Sequence, residues 1–204
     1  LNNLAALRLA CGDSAGAGAL IRRSLAIRET AGAKRLFVQL ARRADWQEGG
    51  AQDRHVMTRA LAEPWDRPGA LAPAAGRMVR THPVTGPLVA RAAAQWPVHM
   101  PLVRLLGEAG FAPLAEDALL EALLTSAPNM DIPLERFLTL LRSAMLREQA
   151  QDASASGPAL RFAAALAQQC FINDYIFLCD PDEIAAARAL LDTADTVTPM
   201  RILL

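Results

Sequence analysis

The sequence predicts an all-α protein with about eleven helices, and three observations support this fold class. Hydrophobic residues make up 52% of the 204-residue chain but aromatic residues only 5%, and alanine and leucine supply most of the apolar total. Both residues favour helices, whereas the residues that favour strands are scarce. Apolar residues recur at helical spacing from end to end, and prolines and glycines separate the segments.

The first predicted helix has an apolar stripe formed by Leu4, Leu7 and Cys11. Gly12 follows as a stop signal, and Ser14 is the predicted N-cap of the next helix. Further helices are predicted over residues 17–28, 33–44, 54–62, 69–80, 88–95 and 114–125.

The next predicted helix, near residues 134–145, is amphipathic. Its apolar face carries Leu134, Phe137, Leu138, Leu141 and Met145, and the opposite face carries Glu135, Arg136, Thr139 and Arg142. A polar linker is predicted over residues 149–157.

The helix that starts at Pro158 is apolar on nearly every face, so we expect it to be buried in the middle of its domain. A last helix begins at Pro181, with Asp180 as its cap and Glu183 reaching back to that cap.

The first two helices resemble a tetratricopeptide repeat, a hairpin in which small residues let two helices approach closely. The matching positions are Leu4, Ala5, Gly12, Ala17, Ile21, Ser24 and Leu25. The resemblance implies a repeat and capping helix over residues 1–45, followed by a helical domain over residues 46–204. Because one repeat cannot bury its own faces, we expect this chain to be part of a longer protein.

Three further strings, at residues 61–68, 134–142 and 166–177, resemble the helical middle region of bacterial tetratricopeptide-repeat methyltransferases. The resemblance implies that a full-length protein carries a separate domain that uses S-adenosylmethionine. The present chain shows no strand followed by a glycine-rich turn, so no cofactor and no catalytic residue are predicted within it. We expect a non-catalytic region that binds a protein or peptide, or braces an adjoining catalytic domain.

Six residues are the candidate partner-binding positions. Asn2, Asn3, Ala6 and Leu9 lie on the helix that lines the concave groove in the repeat family. Asn173 and Tyr175 interrupt the most apolar segment, where they either complete an internal hydrogen-bond network or line a groove.

Two alternatives remain open at this stage. One is a helical oligomerisation module. The other is a serine hydrolase that uses Ser14, because residues 12–16 match the G-x-S-x-G elbow. That elbow requires a strand just before Gly12, whereas the spacing there is helical.

Composition and motif spacing argue against other classes of function. The net charge is +0, and the arginine-rich first quarter lacks interleaved aromatic residues, so no nucleic-acid site is predicted. His55, His82 and His99 fit no metal-binding frame, and neither do the three cysteines; Cys170 and Cys179 are expected to be buried. Polar residues interrupt the most apolar segment, so no membrane span is expected. The odd number of cysteines and the lack of a signal-peptide pattern predict a cytoplasmic chain.

Overall fold

The computed structural model describes residues 1–44, 46, 50–149, 157–176 and 178–192. Within these ranges the chain is all-α, as predicted, with twelve helices and no strand. The helices are α1 (Asn2–Ala10), α2 (Ser14–Ile27), α3 (Ala31–Arg43), α4 (Ala51–Ala62), α5 (Pro68–Arg80), α6 (Thr85–Gln95), α7 (Leu102–Leu106), α8 (Ala112–Ala115), α9 (Ala118–Ser126), α10 (Ile132–Gln149), α11 (Pro158–Ile172) and α12 (Pro181–Asp192).

The first three helices pack on one another in chain order. Helices α1 and α2 form a hairpin, and α3 packs against both. Ala5 and Ala17 are completely buried, because small side chains at the contact let the two helices approach closely. Gly12 adopts a φ of 81° and ends α1, and the amide of Asp13 then donates to the Arg8 carbonyl at 2.9 Å.

The other helices assemble around α9 and α10. Helix α9 packs against α4, α5 and α11, and α10 packs against α5, α6, α7 and α12. One continuous apolar core extends from Ala5 to Leu190. Phe37 of α3 lies 6.3 Å from the Trp46 ring and 5.9 Å from the Trp65 ring, so apolar contacts continue across residues 45 and 46.

Several sequence-based expectations about individual helices were wrong. The predicted helix over 114–125 is two helices, because Asp117 caps α9 by accepting hydrogen bonds from the amides of Leu119 and Leu120 at 3.1 Å. Asp13 rather than Ser14 caps α2 and accepts from the Gly16 amide at 2.8 Å. Helix α7 was missed, since five residues between Pro101 and Gly107 are too few to show a period.

The centrally buried helix is α10 rather than α11. Thr139 and Arg142, expected on a polar outer face of α10, are both buried. Helix α11 instead exposes one side, where Phe171 is 64% accessible. The predicted linker at 149–157 lies largely outside the described residues.

Candidate functional site

Helix α1 presents an apolar row to solvent. Leu4 and Leu7 are 48% and 59% exposed, and Leu1 continues the same face one turn earlier. Ile27, at the end of α2, is 70% exposed and lines a shallow hollow together with Leu1. The row is exposed because α1 packs on α2 and α3 through Ala5 and Leu9, which lie on its other side.

The candidate residues of α1 divide between this exposed surface and the interior. Asn3 and Ala6 are exposed, whereas Leu9 is buried in the core and is not available to a partner. Asn2 is half-buried and holds the hairpin together, because its Oδ1 accepts from Ser24 Oγ at 2.6 Å and its Nδ2 donates to Thr30 Oγ1 at 3.4 Å. Asn2 and Asn3 still line the hollow of about 330 Å³ beside Leu1 and Ile27.

The second candidate pair lies in the turn after α11 rather than within a helix. Helix α11 ends at Ile172, and Asp174 and Tyr175 adopt left-handed backbone conformations with φ values of 53° and 57°. The Tyr175 amide donates to the Cys170 carbonyl at 2.8 Å, and the Tyr175 side chain is 49% exposed. Helix α11 packs on α8 and α9, so this turn is not part of the α1 surface.

Asn173 belongs to a buried polar network around Gln169. With the Gln169 amide oriented to satisfy its neighbours, its nitrogen donates to the Ala127 carbonyl at 3.0 Å. Its oxygen accepts from the Asn129 amide and from Asn173 Nδ2, each at 3.2 Å. Of the two roles weighed for Asn173, this geometry matches the internal network.

Three of the basic residues of the first quarter form ion pairs with acidic neighbours. Arg22 pairs with Asp53 at 2.8 Å, Arg42 pairs with Asp66, and Lys34 lies 3.2 Å from Glu63. These pairs join α2 and α3 to the segments that follow. They do not form a free basic patch of the kind that binds phosphate.

The elbow motif has no catalytic geometry. Residues Asn2–Ala10 are helical, so no strand precedes Gly12, and Ser14 is the first residue of α2. The hydrolase alternative therefore loses the strand-turn-helix context on which it depends.

A cleft of about 760 Å³ between α4, α8 and α9 was missed by the sequence reasoning. At its base, Arg54 Nη2 donates to both carboxylate oxygens of Asp117 at 2.5 and 2.6 Å, and Arg54 Nη1 donates to the Met78 carbonyl at 2.6 Å. The other polar residues of its lining are His55, Thr58, His82 and Glu116. No motif could have revealed the cleft, because its residues come from three separate segments of the chain.

Cys170 and Cys179 lie beside Arg142 of α10, whereas Cys11 is exposed at the end of α1. Cys170 is buried, as expected, and burial raises the pKa of its thiol. Cys179 is exposed, contrary to expectation, because it lies just before α12; its sulfur is 3.5 Å from Glu183 Oε1 and 4.0 Å from Arg142. Among the described residues, no three His, Cys, Asp or Glu side chains are placed to hold a metal ion.

No described helix has the length and apolar character needed to cross a bilayer. Comparison with known protein families, curated proteins and solved structures finds no match to this chain.

Proposed function

We propose that the chain is a helical interaction module that binds an amphipathic helix of a protein partner on the exposed face of α1. One observation carries the proposal: Leu4 and Leu7 stand at helical spacing on a surface helix, each about half exposed. Leu1 and Ile27 extend this apolar surface along the hollow beside it. Large exposed apolar surfaces are typical of interaction sites.

We infer that the occupant is a helix from the spacing of the exposed leucines. Leu1, Leu4 and Leu7 recur every three residues along α1, which is the spacing that the apolar row of a second helix matches. Within the described part of the chain, the one ion pair of α1 joins Arg8 to Asp13 at 2.6 Å, so the charge of Arg8 is balanced beside the leucines. Exposed Asn3 and Ala6 then flank the partner helix.

The experiment selects helical peptides from a displayed library on the wild-type chain. We expect enriched peptides with apolar residues at positions i, i+3 or i+4, and i+7. A Leu4→Glu, Leu7→Glu variant loses at least about tenfold in affinity, because burying a leucine stabilises a contact by about 1.5–3 kcal/mol. A Met130→Glu, Ile132→Glu variant, which changes two similarly exposed residues elsewhere, retains full affinity.

Two results contradict this proposal. Peptides that bind the Leu4→Glu, Leu7→Glu variant as well as they bind the wild type place the interaction elsewhere. A wild-type chain that sediments as a dimer, together with a monomeric variant, supports the oligomerisation module instead.

The methyltransferase connection is a separate part of the proposal. In this view the module presents a protein substrate to an adjoining domain that holds S-adenosylmethionine, and the chain itself holds no cofactor. The described residues form helices joined by turns and contain no strand, which supports a cofactor site outside them. Calorimetric titration with S-adenosylmethionine tests it: heat is expected only with a chain that includes such an adjoining domain, and binding to the present chain contradicts the non-enzyme assignment.

A further inference from the structure

We propose that the cleft between α4, α8 and α9 binds a small organic cation, an amine attached to an apolar body. This site is separate from the α1 surface and does not depend on the helix-binding proposal. Its volume of about 760 Å³ lies within the range of small-molecule sites in proteins.

The walls of the cleft supply the apolar contact. Val84, Ala109, Ala112 and Pro113 line it, and its apolar residues meet a few polar groups at the base. Such a lining favours a ligand that is mostly hydrocarbon with one polar end.

The base of the cleft carries no net charge. Arg54 and Asp117 form a nearly buried pair, with side chains 12% and 5% exposed, so their charges cancel. The Arg54 guanidinium also donates to the Met78 carbonyl, and Asp117 also caps α9. Arg54 is therefore committed to internal contacts and is a poor site for an incoming anion.

His82 adds no positive charge at neutral pH. Burial, and next to it the charge of Arg54, lower the pKa of His82. Its Nδ1 is buried without a hydrogen-bond partner among the described residues, so a proton added there would have no acceptor.

Glu116 is the remaining charge in the lining. It is exposed at the C-terminal end of α8, and it has no ion pair with any described residue. The cleft therefore combines apolar walls with one uncompensated carboxylate, an environment that attracts a cation and repels an anion of the same shape.

Three probes of similar size, which differ in charge, test whether the cleft selects a cation. Benzylamine, benzyl alcohol and benzoate are titrated into the full chain at pH 8, and binding is followed by ¹H–¹⁵N NMR shifts of the cleft residues. We expect benzylamine to bind, the alcohol to bind more weakly and benzoate not to bind. Glu116→Gln weakens benzylamine by about fivefold, the effect of one exposed ion pair, whereas Glu121→Gln on the outer side of α9 changes nothing.

A second variant tests whether benzylamine binds in the cleft. Ala109 is exposed on the wall of the cleft, so Ala109→Trp fills the space without disturbing the core and abolishes benzylamine binding. Binding of benzyl alcohol or benzoate as tight as that of benzylamine, an unchanged affinity in Glu116→Gln, persistent binding in Ala109→Trp, or no binding of any probe at millimolar concentration would each overturn the proposal.

Discussion

Gly76 shows at the level of one residue how tightly α5 meets the start of α10. A Cβ atom added to Gly76 would lie 2.9 Å from Asp131 Cβ and 3.4 Å from Asn129 Oδ1. Asp131 cannot move aside, because it caps α10 through the Leu134 amide at 3.1 Å and pairs with Arg80 at 2.9 Å. The glycine is therefore required by its neighbours and not by its backbone conformation.

Gly76→Ala should destabilise the protein by roughly 1–3 kcal/mol, the usual effect of overpacking. Alanine is normally the better helix residue, so the sign of the effect reports the clash. Gly69→Ala, in the same helix with open space around it, is the matched control and should be neutral or stabilising by less than about 1 kcal/mol. Urea unfolding measures both, and equal effects at the two positions would rule out the steric explanation.

The Glu63 carboxylate joins α3 to α4 and lies in the string at residues 61–68. It accepts from Trp65 Nε1 at 2.8 Å and from Arg59 at 2.6 Å, and Lys34 lies 3.2 Å away. The hydrogen bond from Trp65, followed by that from Arg59, lowers the pKa of Glu63 to about 2. This carboxylate is ionised in the folded protein well below the pH at which an unfolded glutamate takes up a proton.

An NMR titration of the Glu63 side chain should show this lowered pKa, and Trp65→Phe should raise it toward the ordinary value. Since the folded pKa is depressed, the stabilisation is complete above about pH 4.5 and is lost as the pH falls toward 2. Trp65→Phe should make stability less dependent on pH in this window. A Glu63 pKa that does not move in the Trp65→Phe variant would show that Trp65 is not the main cause.

At the level of the element, α12 is attached mainly by ion pairs. Only Glu183 and Leu190 of this helix are buried. Glu183 pairs with Arg142 in the interior, and Arg147 pairs with Asp180 and, at 3.5 Å, with Asp182. A helix that buries so little apolar surface depends on how well its charges are paired.

Glu183→Gln should therefore loosen α12 selectively. The change removes the charge of the carboxylate that contacts the buried Arg142 guanidinium, and a hydrogen bond to a charged group contributes about 1.5–3 kcal/mol. Hydrogen exchange should show α12 amides losing protection while those of α9 keep theirs. Asp182→Asn removes an exposed partner of Arg147 and should change the opening of α12 by less than about 1 kcal/mol; a similar loss in both variants would contradict the assignment.

The same helix shows what the sequence can and cannot predict. The sequence predicted the start of α12 at Asp180-Pro181 because helix capping depends on neighbouring residues. The Glu183 amide indeed donates to Asp180 Oδ1 at 2.9 Å. The Glu183 side chain was expected to reach back to that cap, but it pairs with Arg142, 41 residues away. Local patterns predict which segments are helical. The buried face of α10, the exposed row of α1 and the cleft at Arg54 depend instead on long-range packing.

At the level of the whole molecule, the core joins both ends of the described chain. The N-terminal hairpin reaches the rest through α3, whose Phe37 meets Trp46 and Trp65, and through the ion pair between Arg22 and Asp53. Trp96 lies near α10, where Arg136 is 5.9 Å from the centre of its ring. A continuous core of this kind favours cooperative unfolding.

We predict one unfolding transition for the whole chain, and the placement of the tryptophans allows a direct test. In Trp96→Phe, fluorescence reports only Trp46 and Trp65, near the N-terminal helices, while far-UV circular dichroism reports all helices. The two signals should give the same urea midpoint, because α3 and α5 share the core that α9 and α10 complete. A fluorescence midpoint clearly separated from the dichroism midpoint of the same variant would mean that α1–α3 unfold as an independent unit.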